Sequence, residues 1–239
     1  MTRFSTGKKI ALLIDPDKTS ENHLTKVISA SESVKIDVFL IGSSILLRNS
    51  VAWVVQFIKK RSSIPVYLFP GSVMQICDNA DGILLLSLLS GRNPELLIGQ
   101  HVLAAPSLKT ARFDIVPTGY LLIDGGIRSS VEYMSNTQPI PADKIDIAVC
   151  TALAAEQLGM KSVYLEAGSR AKNPVSASLI AAIRKNVSIP IWVGGGIKTP
   201  ESALSACNAG ADIIVVGTIF EQNIELITPI ADAIHQLNK

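Results

Sequence analysis

The chemistry this chain can do gathers where its apolar runs stop. Glu166 closes one such run inside Tyr164-Leu165-Glu166-Ala167-Gly168-Ser169-Arg170. A carboxylate at the end of a buried strand is expensive unless it has a partner. Glu166 therefore reads as a hydroxyl-binding or proton-accepting group, with Tyr164 at its side. A salt-bridged structural glutamate is the competing reading. A second run ends in Asp15-Pro16-Asp17-Lys18. Two carboxylates and an ammonium on a proline-stiffened turn suit a hard cation together with a phosphate. Magnesium needs few protein oxygens, because it keeps much of its water. Asp15 ends the strand itself, whereas Asp17 reads equally as a turn cap and Lys18 as a solvated charge. A third run ends in Gly42-Ser43-Ser44, where a hydroxyl can reach the same cation or simply cap a helix. Asp124-Gly125-Gly126, at a fourth, offers another acid or a turn.

Glycines complete the pattern. Gly194-Gly195-Gly196 follows the next apolar run after Glu166, and Gly217-Thr218 follows the one after that. A phosphate must be approached closely by backbone N–H groups, and a Cβ atom gets in the way. A triple glycine alone could be a tight turn. Paired with Gly217-Thr218 one strand later, it reads as an anion cradle.

These ends must be held by strands. Apolar runs at Ile10–Ile14, Val38–Ile41, Val66–Phe69, Gly82–Leu86, Tyr120–Ile123, Ser162–Leu165, Ile191–Val193 and Ile213–Val216 are continuous rather than alternating. That suits parallel strands covered on both faces. Helices fit between them at Glu21–Ala30, Ile45–Lys60, Leu96–Leu103, Thr151–Leu158, Ser178–Arg184, Pro200–Asn208 and Ile224–Leu237. The expectation is an α/β fold, a single (β/α)₈ TIM barrel spanning 1–239, with an open doubly wound sheet as its competitor. In such a barrel the C-terminal strand ends share one face, and phosphate sits at the loops after strands seven and eight. The stretch Ile127–Asp143 reads as an irregular loop over that face.

Composition excludes several classes. The chain has 239 residues, is 48% hydrophobic and only 5% aromatic, which suits a barrel lined by Ile, Leu, Val and Ala. A net charge of +2 with no basic stripe argues against nucleic acid. No apolar run is long enough to span a bilayer, and Met1 to Lys9 lacks the apolar core of a signal peptide. Cys77, Cys150 and Cys207 form no CxxC and read as reduced core thiols of a cytoplasmic protein. His23, His101 and His235 lack a metal-ligand spacing, Trp53 and Trp192 read as packing residues, and Ser169 has no histidine placed to activate it.

The segments Ala11 to Lys18, Tyr164 to Ser169, Val193 to Ile197 and Val216 to Thr218 resemble the geranylgeranylglyceryl phosphate synthase family. So does Ser87-Leu88-Leu89-Ser90-Gly91-Arg92-Asn93-Pro94 through His101 and Ala104-Ala105-Pro106. The likeness runs in order along nearly the whole chain. It implies a TIM-barrel prenyltransferase that joins a polyprenyl diphosphate to the primary hydroxyl of sn-glycerol 1-phosphate with Mg2+, and a homo-oligomer, dimer or hexamer. It implies Asp15 and Ser44 as metal ligands and Tyr164, Leu165, Glu166, Ala167, Gly168, Ser169 and Arg170 as the glycerol phosphate segment. Gly195, Gly196, Gly217 and Thr218 become the phosphate-binding backbone. Glu166, Tyr164 and Lys18 are then the catalytic candidates. Small residues at Ala152, Ala154 and Ala155 leave room for a prenyl tail or serve close helix packing.

There are departures. Ser43 stands where the family usually has Gly, and so does Arg170. Leu13 replaces the lysine that marks one bacterial branch and puts the chain with the branch of archaeal and some bacterial members. The glycine cradle alone would also fit a phosphate-binding isomerase or lyase, and Ser43 and Arg170 would fit a non-catalytic binder of glycerol phosphate.

Overall fold

The computed structural model describes residues 4, 6–48, 50–217 and 224–238. Strands β1 (Lys9–Ile14), β2 (Val38–Ile41), β3 (Val66–Leu68), β4 (Gly82–Leu88), β5 (Asp114–Leu122), β6 (Ser162–Glu166), β7 (Ile191–Gly194) and β8 (Ile213–Val216) close into one parallel barrel in chain order. Pairing of Ile10 with Ile214 shuts the ring between β1 and β8. The expected TIM barrel is the observed fold.

The helices are α1 (Glu21–Ser33), α2 (Val51–Lys59), α3 (Gln100–Thr110), α4 (Ser130–Ser135), α5 (Ile145–Gln157), α6 (Ala177–Arg184), α7 (Pro200–Asn208) and α8 (Ile227–Gln236). Ser20 caps α1 by accepting from the His23 N–H, and Thr199 caps α7 in a reciprocal capping box with Ser202. No helix follows β3. The connection to β4 holds only a 3₁₀ turn at Val73–Gln75. α3 enters through a wide π turn at Glu95–Gly99 and leans over this gap, where Gln100 accepts from the Val73 N–H.

Several elements differ from the sequence reading. α2 begins at Val51 rather than Ile45, and α3 runs from Gln100 to Thr110 rather than from Leu96 to Leu103. β5 starts six residues earlier than expected, because Pro117 and Gly119 inside the run hide it. Pro117 has no N–H to give, but its carbonyl accepts from Lys161. α5 begins at Ile145, in a β-branched stretch that reads poorly as helix. The stretch 127–143 is not wholly irregular. It holds α4 and a parallel bridge from Ile140 to Ile123.

The core has two layers. Inside the barrel lie Ala11, Leu40, Tyr67, Leu84, Tyr120, Tyr164 and Trp192, with Phe4 packed edge-on against Tyr67 and Trp192. Outside it, Ile, Leu, Val and Ala from strands and helices form the larger cluster. At the N-terminal rim an aspartate just before one strand accepts an N–H from the start of the preceding strand. Asp37 takes Ile10, Asp81 takes Val66 and Asp212 takes Ile191. These carboxylates also meet Lys9, Lys59 and Arg184 respectively. Such a rim reads as stability, and it leaves the opposite face for chemistry.

Candidate active site

Period-two alternation along β6 sends Tyr164 and Glu166 into the barrel and Leu165 outward into the helix layer. Glu166 closes the strand at the mouth and is 7% exposed. Its Oε1 accepts from the Gly168 N–H at 2.7 Å. Burial raises its carboxyl to about 7, against the smaller opposing effects of the Gly168 amide and the Tyr164 hydroxyl. A carboxyl held there is half ionised near neutral pH, which is where a general base works best. The Tyr164 hydroxyl completes no hydrogen bond of good geometry, although it lies close enough to Glu166 to favour the charged carboxylate. It is a buried donor turned toward the mouth without a settled partner. Tyr164 is fixed from below by stacking on Tyr120, with Phe69 beside it. Burial keeps both tyrosines neutral by pushing their phenols well above the ordinary value.

The glycines stand against this pair. Gly195 and Gly196 adopt φ of +80° and +73°. A Cβ on Gly195 would lie 2.4 Å from Glu166 Oε1 and 2.7 Å from the Gly168 nitrogen, so only glycine lets β7 close on the Glu166 loop. On Gly194 it would strike the Tyr164 hydroxyl at 2.3 Å. Gly217 differs, since its added Cβ would meet Leu13 at an ordinary 3.4 Å. It borders a small cavity of about 20 Å³ with Leu13, Asp15, Lys18, Thr19 and His23, which joins the end of β8 to the end of β1. Thr218, expected in the cradle, lies outside the described residues.

At the β1 end, Asp15 Oδ2 receives the Lys18 ammonium at 2.8 Å and the Ser43 hydroxyl at 3.2 Å. Its Oδ1 caps the following turn through the Asp17 N–H. Asp17 faces elsewhere and accepts from the N–H groups of Leu47 and Arg48 and from the Ser50 hydroxyl, so it ties down the β2–α2 loop. Asp15, Lys18 and Ser43 are thus brought together. Asp124 caps its own turn through Gly126 and stays away from them. The donor set fits magnesium of the kind that brings its own waters and phosphates: one carboxylate with a hydroxyl on the same oxygen. The Lys18 side chain on that oxygen is 51% exposed. Among the described residues no cluster of three His, Cys, Asp or Glu exists that would hold a metal unaided.

One contributor, Gln75, escaped the sequence reading, and another, Ser43, was read only as one of two candidate hydroxyls. Ser43 touches Asp15, although the family pattern drew attention to Ser44. Gln75 is buried and holds Ser43 by its backbone. Gly42-Ser43 carried the signal for Ser43, and nothing in the sequence pointed to Gln75. Arg170 is exposed and sits at φ +62°, in the left-handed region, which is why glycine suits that position. Ala152 and Ala155 are fully buried packing residues, whereas Ala154 lines a groove of about 550 Å³ with Leu89, Leu97, Ile147, Leu158 and Met160.

A closed barrel with left-handed glycines after β7 packed against a buried carboxyl, and a carboxylate–hydroxyl pair after β1, defines a TIM-barrel protein whose polar groups gather at the C-terminal strand ends. Residues 4–235 match the PcrB family model, and the chain belongs to that family. It is 50% identical over 228 residues to the geranylgeranylglyceryl phosphate synthase of Chitinophaga pinensis, covering 95% of this chain and 90% of that protein. It is 38% identical over 226 residues to the enzyme of the same name from Methanosphaera stadtmanae, covering 93% and 92%. The crystal structure of (S)-3-O-geranylgeranylglyceryl phosphate synthase from Thermoplasma acidophilum, in complex with its substrate sn-glycerol-1-phosphate, matches at a TM-score of 0.92. That pair is 32% identical, over 98% of this chain and 96% of the other. No helix among the described residues is long and apolar enough to cross a membrane.

Proposed function

We propose that this chain is a prenyltransferase joining a polyprenyl diphosphate, geranylgeranyl diphosphate, to the primary hydroxyl of sn-glycerol 1-phosphate. The observation that carries the reading is the pairing of Glu166, held near neutrality by burial, with the unsettled Tyr164 hydroxyl against Gly194 and Gly195. The bound substrate of the Thermoplasma acidophilum relative supports the acceptor.

In this reading the backbone at Gly195, Gly196, Gly217 and Thr218 holds the phosphate. Tyr164 donates to a glycerol hydroxyl and Glu166 accepts from the one that reacts. That oxygen attacks C1 of the prenyl chain as the bond from C1 to the diphosphate oxygen breaks. The electron pair leaves with the diphosphate and the proton passes to Glu166. Lys18, released from Asp15, faces the negative charge that develops on the leaving group. Asp15 with the hydroxyls of Ser43 and Ser44 would hold Mg2+, which when bound neutralises the diphosphate. No covalent enzyme intermediate is needed, so positioning and electrostatics supply the acceleration.

The prenyl tail is assigned to the groove along α5, which begins at Leu89 just past the mouth end of β4. Its volume lies in the range of small-molecule sites. Exposed Ile98 in the π turn and Val102 and Leu103 on α3 support a homo-oligomer, dimer or hexamer. Cys207 is buried as expected, Cys77 is half-buried and Cys150 is exposed rather than in the core; all three are free thiols, which supports a cytoplasmic location.

The deciding experiment supplies purified protein with magnesium, geranylgeranyl diphosphate and either sn-glycerol 1-phosphate or its 3-phosphate enantiomer. The expected result is an ether product with the 1-phosphate alone, lost on adding chelator. Calorimetric binding of glycerol phosphate without product, across shorter and longer donors, would favour a non-catalytic binder instead.

A further inference from the structure

Asp17 ties the far end of the loop after β2, but the first turn of that loop needs support of its own. It carries Ser43, whose hydroxyl lies on Asp15, and it must keep that hydroxyl in place. Its support comes from the helix-less connection between β3 and β4. A Cβ on Gly42 would overlap the Phe69 carbonyl oxygen at 1.8 Å, and one on Gly71 would meet the Ser43 carbonyl oxygen at 2.3 Å. The two backbones are therefore in direct contact. Across this contact the Gln75 amide reaches both polar groups of Ser43. Its Oε1 accepts from the Ser43 N–H at 3.1 Å, and its Nε2 donates to the Ser43 carbonyl at 2.7 Å. Gln75 is only 2% exposed. An amide is suited to this role because it offers a donor and an acceptor side by side, as a backbone partner would. The missing third helix thus has a counterpart in function. The segment that replaces it inserts a side chain where a strand neighbour would otherwise pair.

We propose that Gln75 is a positioning residue for the magnesium–diphosphate end of the site, acting through Ser43 on Asp15. The inference rests on the transferase reading above for the ligand that binds there. Outer-shell partners of metal ligands typically affect metal affinity by 10–100-fold. Replacing Gln75 by Met, of similar length, removes both hydrogen bonds and frees the Ser43 hydroxyl to leave Asp15. Replacing it by Glu keeps the acceptor for the Ser43 N–H but loses the donor to the Ser43 carbonyl, and adds charge near Asp15.

The test is calorimetric titration of the wild type, Gln75→Met, Gln75→Glu and Ser43→Ala with magnesium pyrophosphate. Separate titrations with sn-glycerol 1-phosphate and thermal melts accompany it. The expected result is about tenfold weaker magnesium pyrophosphate binding in both Gln75 variants, with glycerol phosphate affinity unchanged. The double variant Gln75→Met/Ser43→Ala should bind no more weakly than the weaker single variant, since both remove one contact chain. Equal losses at both ligands, or additive losses in the double variant, would make Gln75 a general structural residue and overturn the proposal. A Gln75→Met chain that fails to fold leaves Gln75→Glu to decide by the same comparison. Wild-type protein that binds no magnesium pyrophosphate would overturn the transferase reading itself. Normal wild-type binding matched by the Gln75 variants would overturn only the inference about Gln75.

Discussion

Glu166→Gln separates what the carboxylate does for chemistry from what it costs the fold. The carboxyl titrates at about 7 in the folded chain, against 4.5 as its ordinary value. Between these values the folded state binds the extra proton. Stability is therefore greatest below pH 4.5, falls as pH rises, and levels off above 7. Each pH unit in that interval is worth about 1.4 kcal/mol, so the buried charge costs about 3 kcal/mol at pH 8. Most of that loss, about 2.5 kcal/mol, falls between pH 5 and pH 8. Glutamine keeps an acceptor for the Gly168 N–H and never ionises. Its advantage over wild type should grow by about 2.5 kcal/mol from pH 5 to pH 8, or about 5–10 °C in melting temperature for a chain of this size. Comparing the two pH values cancels whatever else the amide changes. The same variant should lose more than tenfold in turnover at saturating substrates. Wild-type activity should rise with pH through about 7, as the base loses its proton. A melting difference that is the same at both pH values would refute the buried-carboxyl argument. Near wild-type turnover would refute the role of Glu166 as base, whatever the melts show.

Three further outcomes follow from the geometry. Gly195→Ala places a Cβ 2.4 Å from Glu166 Oε1 at a φ of +80°. It should destabilise the protein by about 2–4 kcal/mol, beyond the 1–2 kcal/mol of the left-handed backbone alone, as denaturant unfolding would show. Arg170→Gly relieves a left-handed backbone and should stabilise by about 1 kcal/mol. A simultaneous rise in KM for glycerol phosphate would mark Arg170 as a phosphate contact, and an unchanged KM would mark it as a bystander. Asp212→Ala strips the Ile191 N–H and Arg184 of their shared acceptor at the far rim. It should cost about 1–3 kcal/mol by thermal or urea melts while kcat stays unchanged.

The site was legible in the sequence where one residue type was demanded locally. Glu166 and Gly195 stand out because a carboxylate or a glycine at the end of a buried apolar run costs the fold stability unless a partner or a close approach requires it. The sequence already sets Asp15, which ends its strand, apart from Asp17, which reads equally as a turn cap, and the fold shows what each one touches. Asp15 faces Lys18 and Ser43, while Asp17 is consumed by the amides of Leu47 and Arg48. Gln75 was invisible, because a glutamine in a connecting segment has no periodicity and its partner lies 32 residues away.

The sequence by itself determined the strand ends. Continuous apolar runs followed by glycine, hydroxyl or carboxylate residues dictate buried parallel strands with polar ends, since period and burial are local properties. Only the tertiary structure decided how those ends are used. Closure of β8 on β1 sets Gly217 beside Asp15, and the contact of β7 with β6 leaves room for no Cβ at Gly195. Burial of Glu166 moves its carboxyl to about 7. Those effects depend on desolvation and on backbones distant in sequence, and no local pattern records either.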